Sequence, residues 1–266
     1  IVIFGSTISS PKDSDAPGYQ RGSNRYRWQF PPGMRIVAAD LRTADGTAKT
    51  LEDMVGDGTA YVAEGSMNFD GRYLVYTTLQ QGQGDLFVKD LANGTTIPLI
   101  TAPGYDGGPF FSPDGKRIAY RSDRHGNNLL QLFVADLDIT EDGTIRGVAR
   151  EHQLTDNTDV NWCPFWHPEG RHLVYGTSAV SHRNYEIFAI DAAQDEATSP
   201  PKSRYGTAQR RVTFGPGADV LPVFNHDGTE MMWTSKRGPE STSQLWVAGF
   251  VGDLASPSAA APGEKR

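Results

Sequence analysis

The sequence predicts an all-β chain, a β-propeller of four-stranded antiparallel blades, and three observations carry that prediction. One segment recurs four times, most cleanly as Phe111-Ser112-Pro113-Asp114-Gly115-Lys116-Arg117-Ile118-Ala119-Tyr120. Its turn glycines, Gly71, Gly115, Gly170 and Gly228, lie 44, 55 and 58 residues apart, the spacing of a supersecondary unit stacked several times. A second segment follows each copy with apolar residues on both faces: Leu86-Phe87-Val88, Leu132-Phe133-Val134, Ile187-Phe188-Ala189 and Leu245-Trp246-Val247. A strand apolar on both faces belongs to a sheet sandwiched between neighbouring sheets. Finally, 29 glycines and 17 prolines among 266 residues suit short strands joined by frequent tight turns.

The elements follow in order. Residues 1–7 match the second strand of a unit and 34–41 its third. The next unit contributes the degenerate copy around Asp70-Gly71 and the strand 85–91. In the clearest unit, residues 109–112 form an inner strand and Pro113-Asp114-Gly115 the turn. Proline presets φ, aspartate suits the next position, and glycine tolerates a left-handed residue. Residues 117–122, 130–137 and 152–155 supply its remaining strands. Two further units repeat this plan around Gly170 and Gly228. Five units are visible over residues 1–250; the first lacks its opening strand and the last its closing strand. Phe111, Trp166 and Phe224 share one position, and Tyr76, Tyr120, Tyr175 and Trp233 another. Both sets are expected to pack between blades.

Three stretches stand outside the repeat. Residues 9–33 form a loop insertion, residues 193–209 a polar insertion, and residues 251–266 a Pro/Ala/Ser tail expected to be flexible. The first insertion gathers Arg21, Arg25, Tyr26, Arg27, Trp28 and Phe30. Arginine and aromatic residues dominate interface hot spots, so this segment is the candidate binding surface. The alternative is a loop that folds back with its aromatics packed.

Composition narrows the function. A net charge of −7 and a pI near 5.4 argue against a nucleic-acid footprint. No run approaches the roughly 18 apolar residues of a membrane helix. The chain opens inside a strand, Ile1-Val2-Ile3-Phe4, without a signal-peptide pattern, so upstream sequence is expected to have been removed or omitted. Cys163 is the sole cysteine; it stands four residues before His167, a spacing that places both on one strand face. With no third ligand at a fixed spacing, a core thiol is the expectation. Asp106, Asn161 and Asp219 each precede a proline by three residues. At equivalent places on successive blades, such oxygens would converge on a central channel and could hold Ca²⁺ or a cationic group. Turn capping is the plainer role for them. No cofactor is otherwise expected.

The segments 111–120, 132–137 and 153–155 resemble the repeat of TolB-type β-propellers, and the likeness extends over residues 1–250. It implies six blades, with five as the alternative, a periplasmic or other extracytoplasmic setting, and a protein- or peptide-binding role without catalysis. The same repeat precedes a hydrolase domain in prolyl-oligopeptidase-like enzymes, but the chain has no Gly-x-Ser-x-Gly elbow. The rival function is a lactonase- or glycosidase-like propeller enzyme with acids or a metal in the channel, seeded by Asp106 and Asp219.

Overall fold

The computed structural model describes residues 2–7, 30–31, 33–39, 52–80, 82–192, 207–240 and 242–251. All the regular structure in it is β. The first sheet contains β1 (Val2–Ser6), β2 (Arg35–Ala39) and β3 (Glu52–Val55). The second contains β4 (Val62–Met67), β5 (Tyr73–Thr78), β6 (Asp85–Asp90) and β7 (Thr96–Ile100). The third comprises β8 (Asp106–Phe111), β9 (Arg117–Ser122), β10 (Gln131–Ile139) and β11 (Ile145–Gln153). β12 (Asn161–Trp166), β13 (His172–Ser181), β14 (Asn184–Asp191) and β15 (Thr207–Arg211) make the fourth. The fifth holds β16 (Asp219–Phe224), β17 (Glu230–Ser235) and β18 (Gln244–Gly249). Each sheet is a meander in chain order, and the described residues form five such blades of a β-propeller.

The recurring segment folds as the same turn four times. Gly71, Gly115, Gly170 and Gly228 adopt φ of 75°, 70°, 80° and 73°, a left-handed conformation that glycine reaches without a Cβ clash. Each donates its N–H three residues back, to Asn68, Ser112, His167 and Asn225. Asp70, Asp114 and Asp227 accept the backbone N–H two residues on, which pins the turn from its side chain.

By contacts the chain forms two compact units: residues 1–111, 122–128 and 137–149, and residues 112–121, 129–136 and 150–266. In the first unit Ile36, Val62, Leu74 and Tyr76 make a buried cluster flanked by Ile3, Met54, Val55, Met67, Phe87 and Leu91. In the second, Val174, Ile187 and Ala189 of the fourth sheet pack on Phe224, Met231 and Trp233 of the fifth. The rule is the same in both: one sheet hides the apolar face of its third strand beneath the inner strands of the next. Tyr76, Tyr120, Tyr175, Trp233, Phe111, Trp166 and Phe224 are all buried, as their repeated positions demand. Trp166 also carries the guanidinium of Arg117 at 4.7 Å from its ring centroid.

The inner strands share a device that positions everything near them. Glu64, Cys163 and Leu221 have φ of 56°, 47° and 57°, and Gly108, at the same place in β8, has 59°. Around the three non-glycine residues the strand pairing slips between Ala63 and Ser66, Trp162 and Phe165, and Val220 and Val223. Each is a bulge, and its left-handed residue re-aims the side chains beside it. Pro164 and Pro222 follow two of them, where a missing N–H costs no ladder bond.

Candidate interaction surface

The residues expected near the channel sit at the starts of inner strands, and each is held from within its own unit. In the first unit Asp106 receives Arg124 at 3.2 Å. In the second, Asp219 pairs with Arg237. Both carboxylates are fully buried, and both partners lie 18 residues downstream. Each arginine is oriented by Nε donating 3.0 Å to a serine hydroxyl, Ser122 or Ser235. That serine also accepts the N–H of the arginine itself.

The fourth sheet makes the same joint without charge. Asn161 replaces the aspartate and Ala179, 18 residues on, replaces the arginine. Thr177 Oγ1 donates to Asn161 Oδ1 at 2.9 Å, and Asn161 Nδ2 reaches Asn157, Gln131 and Leu130. In the second sheet the two places hold Val62 and Gln80. Acid and base therefore come and go together, because a buried carboxylate without its cation is costly. Among the described residues no group of three or more His, Cys, Asp or Glu is placed to hold a metal ion.

Sequence reasoning missed the bulge residues. Glu64 Oε2 accepts from Tyr105 Oη at 2.7 Å, from the Gly108 N–H at 2.7 Å and from Thr77 Oγ1 at 3.2 Å. In the second unit the Leu221 N–H donates to Cys163 Sγ at 3.3 Å. In both cases a bulge side chain accepts the N–H of the bulge residue in the following sheet. The signal available was register: Glu64, Gly108, Cys163 and Leu221 all stand two residues after the positions of Val62, Asp106, Asn161 and Asp219.

The pairing of Cys163 with His167 on one face is corrected by the same bulge, which breaks the two-residue alternation between them. His167 packs edge-on against Phe224, with ring centroids 4.6 Å apart, and pairs with Glu169. Cys163 is buried, and burial pushes its thiol up to about 11. It is neutral and poorly nucleophilic at physiological pH.

Of the insertion's candidates, Arg21, Arg25, Tyr26, Arg27 and Trp28 lie outside the described residues. Phe30 is 2% exposed and packs on Tyr61 and Tyr105, with ring centroids 5.0 and 5.1 Å apart. Phe30 alone is thus packed as a core residue.

Among the described residues, one apolar strand with high exposure lies on the fifth sheet. Leu245 and Val247 of β18 are 69% and 58% exposed. Their equivalents Leu86, Leu132 and Ile187 are all at 0%, and Val88, Val134 and Ala189 at 2% or less. On the other face of β18 a groove of about 270 Å³ is lined by Val212, Phe214, Met231, Trp233, Arg237 and Phe250, among others. Arg237 forms part of its floor, 5.1 Å from the Trp233 centroid and 5.5 Å from that of Trp246. The edge residues from Gln244 to Gly249 carry no charge, and Asp219 neutralises Arg237.

No protein-family model matches the chain. Among curated proteins it is similar to the Tol-Pal system protein TolB of Wolinella succinogenes, 26% identical over 176 residues, 65% of this chain and 36% of the relative. The same-named protein of Francisella tularensis subsp. mediasiatica is 29% identical over 76 residues, 29% of this chain and 18% of the relative. The matches thus span about a third or less of these curated relatives. Among solved structures, TolB from Acinetobacter baumannii superposes with a TM-score of 0.58 at 15% identity, over 82% of this chain and 47% of that one. A chain of the nidogen/laminin complex gives 0.53 at 14%, over 76% and 67%. These structural likenesses fix the fold, and in sequence the repeat is similar to that of the TolB relatives.

Two outcomes follow from this geometry. Arg237→Ala strands the buried Asp219 carboxylate and should cost about 3–5 kcal/mol in urea denaturation. Adding Asp219→Asn reproduces the Asn161/Ala179 arrangement and should recover a measurable part; a double variant no more stable than Arg237→Ala would refute the equivalence. For Cys163, the folded thiol holds its proton up to about 11 against an ordinary 9.0. The fold therefore loses stability as pH rises across that window and is unaffected below it. Cys163→Ala should flatten this alkaline limb in pH-dependent melting, and an unchanged limb would contradict the burial.

Proposed function

We propose that the chain, built from TolB-type β-propeller repeats, is a protein- or peptide-binding scaffold that works outside the cytoplasm and docks its partner on the fifth sheet. The observation that carries this reading is the exposure of Leu245 and Val247 at register positions fully covered in three other sheets. An uncovered apolar strand is a hazard for aggregation unless another segment lies against it, and a partner polypeptide is the occupant this reading assigns. The relatives' name, a component of the Tol-Pal system, supports a role in assembly with other proteins, and the repeat resemblance supports the extracytoplasmic setting. No helix among the described residues is long and apolar enough to cross a membrane. The mild negative charge is consistent with a protein partner over a nucleic acid.

The test is affinity capture from an extract of the native cells, comparing the parent with a variant carrying Leu245→Glu and Val247→Glu. Both side chains already face solvent, so far-ultraviolet circular dichroism and melting temperature should barely change. A stoichiometric protein captured by the parent and lost by the variant is expected. Retention by the variant would move the surface elsewhere, and no stoichiometric partner for the parent would refute the scaffold reading.

A further inference from the structure

One buried acid lacks the counter-charge that its counterpart has. Asp85 stands one residue before Leu86 in the third strand of the second sheet, where the third and fourth sheets have Gln131 and Glu186. All three are buried. Gln131 is neutral, and its amide is fully used. Nε2 donates to Asn157 O and Asp159 O, both at 3.1 Å, and Oε1 accepts from Asn161 Nδ2 at 3.2 Å. Glu186 is an acid, and a cation answers it. Arg211 Nη2 donates to its Oε1 at 2.8 Å, and Thr213 Oγ1 to its Oε2 at 2.5 Å. Asp85, at 0% exposure, receives Gln83 Nε2 on Oδ1 at 3.2 Å, and its Oδ2 has no hydrogen-bond partner. The sequence supplies the reason. Leu99 stands where the fourth sheet has Arg211, and Thr101, the counterpart of Thr213, is exposed.

β6 packs against β5, β7 and β8, and none of them brings it a cation. β5 offers the tyrosines Tyr73 and Tyr76, β7 has no titratable group, and β8 has only Asp106, which is held by Arg124. Beside β8, Asp123 accepts the Tyr105 N–H at 2.6 Å, and Glu64 of β4 accepts from Tyr105 Oη at 2.7 Å. An isolated buried carboxylate is far costlier than the neutral acid. Burial accordingly raises the Asp85 carboxyl above its ordinary 3.8, an effect that the Gln83 bond offsets only in part.

Asp85 also sits at a tight junction. The Gly84 N–H donates to Gly104 O at 3.2 Å, and Gly84 O accepts from the Asp106 N–H at 2.9 Å. These bonds form a parallel bridge between Gly84 and Tyr105 that ties the second sheet to the start of β8. The Tyr105 ring lies so close that a Cβ on Gly84 would be 2.3 Å from its Cδ2. We propose that Asp85 is a proton-operated latch on this junction: the closed bridge holds its carboxyl as the neutral acid, and ionisation loosens the bridge. A carboxylate given neither a cation nor a second hydrogen bond gains solvation only when the junction opens. The sign follows from linkage. The folded chain binds this proton more tightly than the unfolded chain does. The latch therefore contributes fully below 3.8, and its contribution is lost as pH rises through the raised value. The chain thereby carries a pH-responsive joint between two of its blades.

Nuclear magnetic resonance of the intact chain, carrying ¹³C-labelled aspartate, tests this without altering the protein. The Asp85 carboxyl resonance, assigned through its own backbone, should titrate above 3.8. Over the same pH range the Gly84 and Asp106 amides should lose protection from hydrogen exchange, once the intrinsic rise in exchange rate is divided out. Asp85→Asn keeps an acceptor for Gln83 and cannot ionise, so in that variant the protection should not change with pH. The variant should also melt above the parent at about pH 8, by a margin that narrows as pH falls towards about 4. Titration of Asp85 at or below 3.8 would mean that a counter-charge, a bound cation included, reaches it, and would overturn the proposal. Titration above 3.8 with constant protection of the Gly84 and Asp106 amides would overturn the latch. If Asp85→Asn does not fold, the titration and exchange of the parent decide between these outcomes.

Discussion

A sheet whose third strand is apolar on both faces is stable only when something lies against it, and that requirement organises this chain. Leu86, Leu132 and Ile187 satisfy it completely. In the second unit the cover over Ile187 and Ala189 is visible in Phe224, Met231 and Trp233 of the following sheet. At roughly 25 cal/mol per Å² of apolar surface, this burial is what lets a low-hydrophobicity sequence with many glycines hold together. Among the described residues the same requirement gives meaning to its failure at β18. There, residues of the same type at the same register face water.

Around that hydrophobic constraint the polar groups are arranged so that burial is affordable at the inner-strand starts. The paired Asp106 with Arg124, and Asp219 with Arg237, use one geometry, down to the serine that holds the arginine Nε. Asn161 shows that the joint also works with amide and hydroxyl bonds alone. The left-handed bulges re-aim residues such as Glu64 and Cys163 towards the N–H of the next inner strand. Backbone strain at such positions persists only when the surroundings over-determine it, and here each bulge residue is bonded across to a neighbouring sheet.

Much of the fold was legible because its signals are local. Pro113-Asp114-Gly115 announces its turn, and the doubly apolar runs announce third strands. The bulges were not legible, since nothing about Glu64 or Leu221 as residues favours positive φ; only Gly108 at the same register hinted at it. The arginine partners were hidden for a different reason. Asp106 and Arg124 lie on separate strands, and only repetition of the 18-residue interval with Ser122-Asp123-Arg124 and Ser235-Lys236-Arg237 could have joined them. Arginine and aromatic enrichment drew the candidate surface to the insertion; of its six named residues only Phe30 is described, and it is packed inside. Interface and core draw on the same residue types, so composition could not separate them. The exposed face of β18 resembles every buried one in sequence, so its exposure was not legible either.

The account turns on β18 being an open edge while its equivalents are closed, and site-resolved amide hydrogen exchange measures that directly. In the isolated chain the Leu245 amide should exchange at close to the unprotected rate, whereas the Leu132 and Ile187 amides, bonded to Thr155 and Thr213, should be protected by orders of magnitude. Equal protection at all three would show the β18 edge already occupied and would contradict the account.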